Sequence, residues 1–119
     1  MFKRTIIASA VLLATSSVWA ASANNQATVA QTGNNNLATV EQIDSSNHNQ
    51  ASISQIGADN EAKTIQKNTS QSEASVAQVG AGNDALVTQE SSTAGSVAQV
   101  ASTGNFNVAT VTQQVFNEG

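Results

Sequence analysis

Between residues 25 and 113 the apolar positions sit two apart and are bracketed by polar side chains, most of them amides. Asn25, Ala27, Val29 and Gln31 are followed by Asn36, Ala38, Val40 and Gln42. The phrase returns as Asn49, Ala51, Ile53 and Gln55, then Asn60, Ala62, Thr64 and Gln66. It returns again as Ser72, Ala74, Val76 and Gln78, then Asn83, Ala85, Val87 and Gln89. A looser fourth copy reads Thr93, Gly95, Val97 and Gln99, then Asn107, Ala109, Val111 and Gln113. Alternation with period two over seven residues predicts a strand, so each copy predicts two. The recurrence, roughly every 21–24 residues, is the signature of stacked repeats and not of an ordinary globule.

Each unit then reads as strand, turn, strand. The turns carry Gly33, Gly57, Gly80 and Gly82 beside Asn or Asp, residues that tolerate the left-handed backbone of sharp bends. Two geometries compete: an antiparallel hairpin meander, and a β-arch whose strands face each other across a thin core and pair with the units above and below. The columns favour the arch. In-register parallel stacking sets Ala27 over Ala51 and Ala74, Val29 over Ile53 and Val76, and Gln over Gln, the arrangement in which amides form ladders. A meander gives no reason for such columns. The chain contains no proline, so nothing interrupts the pairing. The expected fold is all-β: a β-solenoid of four stacked arches over residues 25–48, 49–71, 72–92 and 93–113, with a tail at 114–119.

The start of the chain is different. Lys3 and Arg4 precede an apolar stretch over residues 6–14, and Val18-Trp19-Ala20 ends in small residues at the positions a signal peptidase prefers. Residues 1–20 are expected to be a cleaved secretory signal and 21–24 a short lead-in. The apolar stretch falls short of the roughly 20 residues a membrane span needs, so no membrane insertion is expected after cleavage. Cleavage would leave two cations, Lys63 and Lys67, against eight acids, a net charge of 2 − 8 = −6. That balance argues against nucleic-acid binding. No cysteine is present to staple a small secreted domain.

The mechanism expected from these residues is stacking. An inward amide left unpaired costs roughly 1–3 kcal/mol, and the copies above and below supply its partners. Asn25, Gln31, Asn36, Gln42, Asn49, Gln55, Asn60, Gln66, Ser72, Gln78, Asn83, Gln89, Gln99, Asn107 and Gln113 are therefore the candidate self-assembly residues. The alternative for a polar, Asn- and Gln-rich chain is disorder, which predicts no columns at fixed spacing. The end rungs of a lone chain would leave backbone groups unpaired, and a further copy on each end would satisfy them. Such a head-to-tail contact does not close and generates a filament. Asp44, Asp59, Lys63, Lys67, Asp84 and Glu90 are expected in turns or facing outward, as brakes on misplaced stacking or as plain solubilising charge. His48 is the sole histidine, so neither a catalytic triad nor a histidine metal cluster is expected, and no catalytic, metal or cofactor site is proposed.

The spacing Gln, four residues, Asn, five residues, Gln holds for Gln31-Asn36-Gln42, Gln55-Asn60-Gln66 and Gln78-Asn83-Gln89, each preceded by Asn or Ser six residues before its first Gln. This is similar to the curlin repeat, and the chain resembles the secreted subunits of curli, bacterial functional amyloid fibres. The resemblance implies a stacked amyloid solenoid, a second curlin-type subunit as partner, secretion and chaperone machinery, and a place in biofilm matrix and adhesion. It implies that the Gln and Asn/Ser positions named above carry assembly. The chain departs from the family pattern in having four units where major subunits usually carry five, and in lacking a Gly-rich segment before the first. It also lacks the basic final repeat of the nucleating subunit. The resemblance therefore implies a polymerising subunit; the alternatives are the minor nucleator of the same fibre and a soluble surface-binding solenoid.

Overall fold

A computed structural model describes residues 8–9, 15–20, 24–43, 48–90 and 95–114. Among these residues ten strands run in chain order: β1 Ala8–Ser9, β2 Thr15–Ala20, β3 Gln26–Asn34, β4 Leu37–Ile43, β5 Gln50–Ala58, β6 Glu61–Lys67, β7 Glu73–Ala81, β8 Asp84–Glu90, β9 Val97–Thr103 and β10 Val108–Gln114. Odd strands form one sheet, in the order β1-β3-β5-β7-β9, and even strands the other, in the order β10-β8-β6-β4-β2. Every pairing is parallel. The two strands of a unit therefore belong to different sheets and are not a hairpin. The fold is the all-β solenoid that the columns predicted.

Alternation explains the cross-section. Along β4, β6 and β8 every second residue is buried and the rest reach solvent. The buried set is small: Ala27, Val29, Ala38, Val40, Ala51, Ile53, Ala62, Ala74, Val76, Ala85, Val87, Ala98 and Val100. Alanine keeps the sheets close at one level and a β-branched side chain fills the next, so the core is one side-chain layer thick. The register sets like over like: Ala27 on Ala51 on Ala74, and Val29 on Ile53 on Val76. Thr64 breaks the second sheet's valine column, between Val40 and Val87.

The corners are tighter than the sequence suggests. Gly33, Gly57 and Gly80, expected in turns, lie inside the ends of their strands and pair with one another. Their φ values of 114°, 126° and 128° are open only to glycine, and a Cβ on Gly33 or Gly57 would collide with the carbonyl oxygen of the next glycine in the stack. The bend itself is made one step later, where Asn35, Asp59, Gly82 and Phe106 share φ between 54° and 64°. The Phe106 ring lies over Gly82, where a Cβ would strike it. A second left-handed column, Asn24, His48, Gln71 and Gly95, opens each unit. His48 is thus a backbone hinge between units, and its side chain is exposed.

The fourth unit corrects the sequence reading. β9 pairs with β7 so that Val97 faces Glu73, Ala98 faces Ala74, Val100 faces Val76 and Ser102 faces Gln78. Val97 and Gln99 were expected in the inward Val and Gln columns. Both instead point outward, three residues out of that register. The reason is the far corner. With Ser96 as the starting residue, Gly104 sits over Gly80 and Asn107 reaches Asn83. Thr93, the expected first residue of the unit, lies outside the described residues.

At the other end the chain does something the leader reading did not anticipate. Ala8–Ser9 pairs with Val29 and Ala30 of β3. Thr15–Ala20 pairs with β4, from Thr15 opposite Leu37 to Ala20 opposite Gln42. Lys3, Arg4 and most of the apolar stretch lie outside the described residues, as do residues 21–23. Among the described residues no helix is long and apolar enough to cross a membrane.

Candidate self-assembly site

The amides form two glutamine ladders and one asparagine ladder. In the first sheet Gln31 Nε2 donates to Gln55 Oε1 at 2.7 Å, and Gln55 Nε2 to Gln78 Oε1 at 2.9 Å. In the second sheet Gln42 donates to Gln66 at 2.8 Å, Gln66 to Gln89 at 2.9 Å and Gln89 to Gln113 at 2.9 Å. Every donor points toward the C-terminal end of the stack. The asparagine ladder runs the other way. Asn60 Nδ2 donates to Asn36 Oδ1 at 3.1 Å, Asn83 to Asn60 at 3.0 Å and Asn107 to Asn83 at 3.0 Å. Each Asn Oδ1 in that ladder also accepts the backbone N–H of the residue stacked on it.

These amides also tie the two sheets together, a role the sequence columns did not reveal. Gln42 Nε2 reaches the carbonyls of Gln26 and Asn49 at 3.1 and 3.2 Å. Gln66 reaches those of Gln50 and Ser72, and Gln89 those of Glu73 and Ser96. In the opposite direction Gln55 donates to the Leu37 carbonyl and Gln78 to that of Glu61. Asn36, Asn60 and Asn83 clamp the glycine corner by donating to the carbonyls of Gly57, Gly80 and Gly104 at 3.0, 2.9 and 2.8 Å. At the unit start, Asn25 Oδ1 accepts from the Asn49 N–H and Asn49 Oδ1 from the Ser72 N–H. One buried amide therefore links neighbouring rungs and seals the edge of the core. Such a group pays back its desolvation only while all its partners are in place.

The ladders are not equally complete. The second sheet's column holds four glutamines, whereas the first ends at Gln78 because Ser102 takes the next place. Ser102 Oγ is buried without a partner. Gln99, a candidate from sequence, faces Ser75 on the outside and joins no ladder. Thr64 Oγ1 and Thr69 Oγ1 are likewise buried and unpaired. Buried Thr69 and stacking Gly104 were missed by sequence reasoning. The constant 11-residue step from a unit's first Asn or Ser to its second-strand Asn, as in Asn25 to Asn36, was the signal that finds Ser96 and hence Gly104.

Charged groups decorate the outside. Lys63 pairs with Glu41 at 2.8 Å and Lys67 with Glu90 at 3.4 Å, each across adjacent rungs and partly exposed. Solvated pairs of this kind contribute at most about 1 kcal/mol. No cluster of three or more His, Cys, Asp or Glu side chains that could hold a metal occurs among the described residues.

The decisive feature is one unit of 11-residue strand-to-strand spacing, bracketed by Gln and Asn, repeated in register along both sheets. The profile of the curlin associated repeat matches residues 23–43, the β3–β4 unit. Over that unit the chain is similar to the curlin repeat. The structure carries the geometry of that unit through the following ones, with Asn49, Ser72 and Ser96 in the place of Asn25. No curated protein and no solved structure matches the chain.

Proposed function

We propose that this protein is a secreted structural subunit that assembles head to tail into extracellular, curli-like amyloid fibres serving biofilm matrix and adhesion. The observation that carries the reading is the open-ended Gln42-Gln66-Gln89-Gln113 ladder. Its last donor, Gln113 Nε2, turns to the Val97 carbonyl, and its first acceptor, Gln42 Oε1, is buried with no partner. A second copy stacked in the same parallel sense brings these two groups together and continues both sheets. Its junction also sets Asn107 against Asn36, Ala109 against Ala38 and Val111 against Val40, the pairings of the inner rungs. Ala109 and Val111 of the C-terminal rung are only partly buried, whereas Ala85 and Val87 beneath them are buried, which fits an edge awaiting cover.

A polymerising role is favoured over a nucleating one because β10 repeats the inner pattern of its sheet and no cation follows Lys67. A second curlin-type subunit, secretion and chaperone machinery, and a leader over residues 1–20 belong to the same reading. A structural role leaves no task for an active site.

Fibre diffraction tests it. The purified chain, incubated for a day at neutral pH, is expected to sediment and to give a meridional reflection at about 4.7–4.8 Å and an equatorial one near about 10 Å. A chain that stays in the supernatant as a monomer would instead be the soluble solenoid.

A further inference from the structure

The outer edge of β3 and β4 is occupied in this structure. Among the described residues, Ala8 and Ser9 cover two of the nine residues of β3. β4 is covered more fully, by Thr15–Ala20 in parallel register. The cover fails at one atom. Ala20 stands opposite Gln42, and alanine has no amide, so Gln42 Oε1 stays buried at 0% exposure without a hydrogen bond. Every other Gln–Gln step of that ladder closes at 2.8–2.9 Å.

We infer that this edge is a docking surface for the β9–β10 rung of a second copy, and that residues 15–20 hold it in the lone chain as a weaker occupant. The inference rests on the proposed self-assembly. Three features of the edge select the second copy. Its Gln113 supplies the N–H that Gln42 Oε1 lacks, with the donor direction already used at every inner step. Its apolar residues meet their like: Ala98 with Ala27, Val100 with Val29, Val108 with Leu37. Finally, no like charges are opposed, since Thr110 would face Thr39 and Thr112 would face Glu41.

A consequence follows for growth. Each head-to-tail junction uses one N-terminal edge and one C-terminal edge. A chain whose β3–β4 edge is held by its own residues 15–20 can offer only its C-terminal rung until that segment is displaced. Retention of this segment thus slows polymerisation, and its displacement or removal opens the edge.

The test uses the full 119-residue chain, refolded by dilution and added to fragmented fibres of the same chain. Val18→Pro removes a ladder donor from β2, where Val18 pairs with Val40. It is expected to raise the seeded growth rate about tenfold, the ratio that corresponds to ~1.4 kcal/mol. Ala20→Gln gives the self-cover the missing amide and is expected to slow growth several-fold. The opposite signs matter, because general destabilisation by either change would not produce them. Equal rates for Val18→Pro and the unchanged chain, a slower Val18→Pro, or an Ala20→Gln that grows no more slowly than the unchanged chain, overturn the competition while leaving fibre formation standing. A chain that yields no fibres even after residues 1–20 are removed overturns the self-assembly reading and this inference with it.

Discussion

The two glutamine columns start alike and finish differently. In the second sheet Gln42, Gln66, Gln89 and Gln113 pass one donor to the next through all four units, and the last donates to the Val97 carbonyl. In the first sheet Gln31, Gln55 and Gln78 do the same for three, and then Ser102 leaves a buried hydroxyl with nothing to bond. Both columns sit in parallel sheets with the same alternation and the same kind of apolar neighbours. The difference shows that β9 keeps its register without a glutamine in the column, held by the Gly104 corner and the Asn107–Asn83 amide pair. The column of the second sheet ends on an amide, and that of the first ends on Ser102.

The comparison can be abolished at the corner that both sheets share. Gly57→Ala puts a Cβ against the Gly80 carbonyl at a φ of 126°. Strain and overpacking together are expected to cost about 3–5 kcal/mol. Sedimentation should then recover the chain as soluble material at concentrations where the unchanged chain forms fibres.

A milder break separates the columns. Gln89→Ala removes an amide bonded to glutamines on both sides and to two backbone carbonyls. Gln78→Ala removes one with a glutamine on one side and a single carbonyl. Losses of about 2–3 kcal/mol and about 1–2 kcal/mol are expected. The concentration left soluble at equilibrium with fibres reads them out, tenfold for each ~1.4 kcal/mol, and should be higher for Gln89→Ala.

Two substitutions sharpen the comparison by repair. Thr64 interrupts the valine column of the sheet whose ladder is complete, and its hydroxyl is unpaired. Thr64→Val is nearly the same shape and is expected to stabilise by about 1–2 kcal/mol, seen as a lower residual soluble concentration. Ser102→Gln extends the first column by one amide and is expected to add about 0.5–1.5 kcal/mol. Its effect should vanish in a Gln78→Ala background, where the new amide has no neighbour, and a double-mutant cycle measures that coupling.

Much of this was legible in the sequence because parallel stacking makes every residue its own reporter. Like must lie over like, so the columns of Ala, Val, Gln and Asn could be read straight from the spacing, and with them the arch geometry and the paired sheets. The fourth unit was misplaced because Val97 and Gln99 offer a local match to Val-x-Gln, while the true register depends on Gly104 and Asn107 meeting distant partners. Local pattern and long-range registry disagreed, and registry prevailed. The ties from Gln42, Gln66 and Gln89 to carbonyls of the opposite sheet were not visible, because backbone acceptors leave no mark on residue type. Nor could the pairing of residues 15–20 be foreseen, since their sequence obeys the leader pattern and carries none of the repeat's amides.

The central claim, that one chain's last rung lies on the next chain's first, has a direct test in a protein without cysteine. Thr39 and Thr110 are outward residues of β4 and β10, related within one chain through Lys63 and Leu86. That separation of three strand spacings is about 14 Å, too far for a disulfide, whereas across the junction the two positions are one spacing apart, about 4.8 Å. Fibres grown from the Thr39→Cys, Thr110→Cys double variant and then oxidised should run as a ladder of covalent multimers on a non-reducing gel. Fibres that oxidise to monomers alone would contradict head-to-tail stacking.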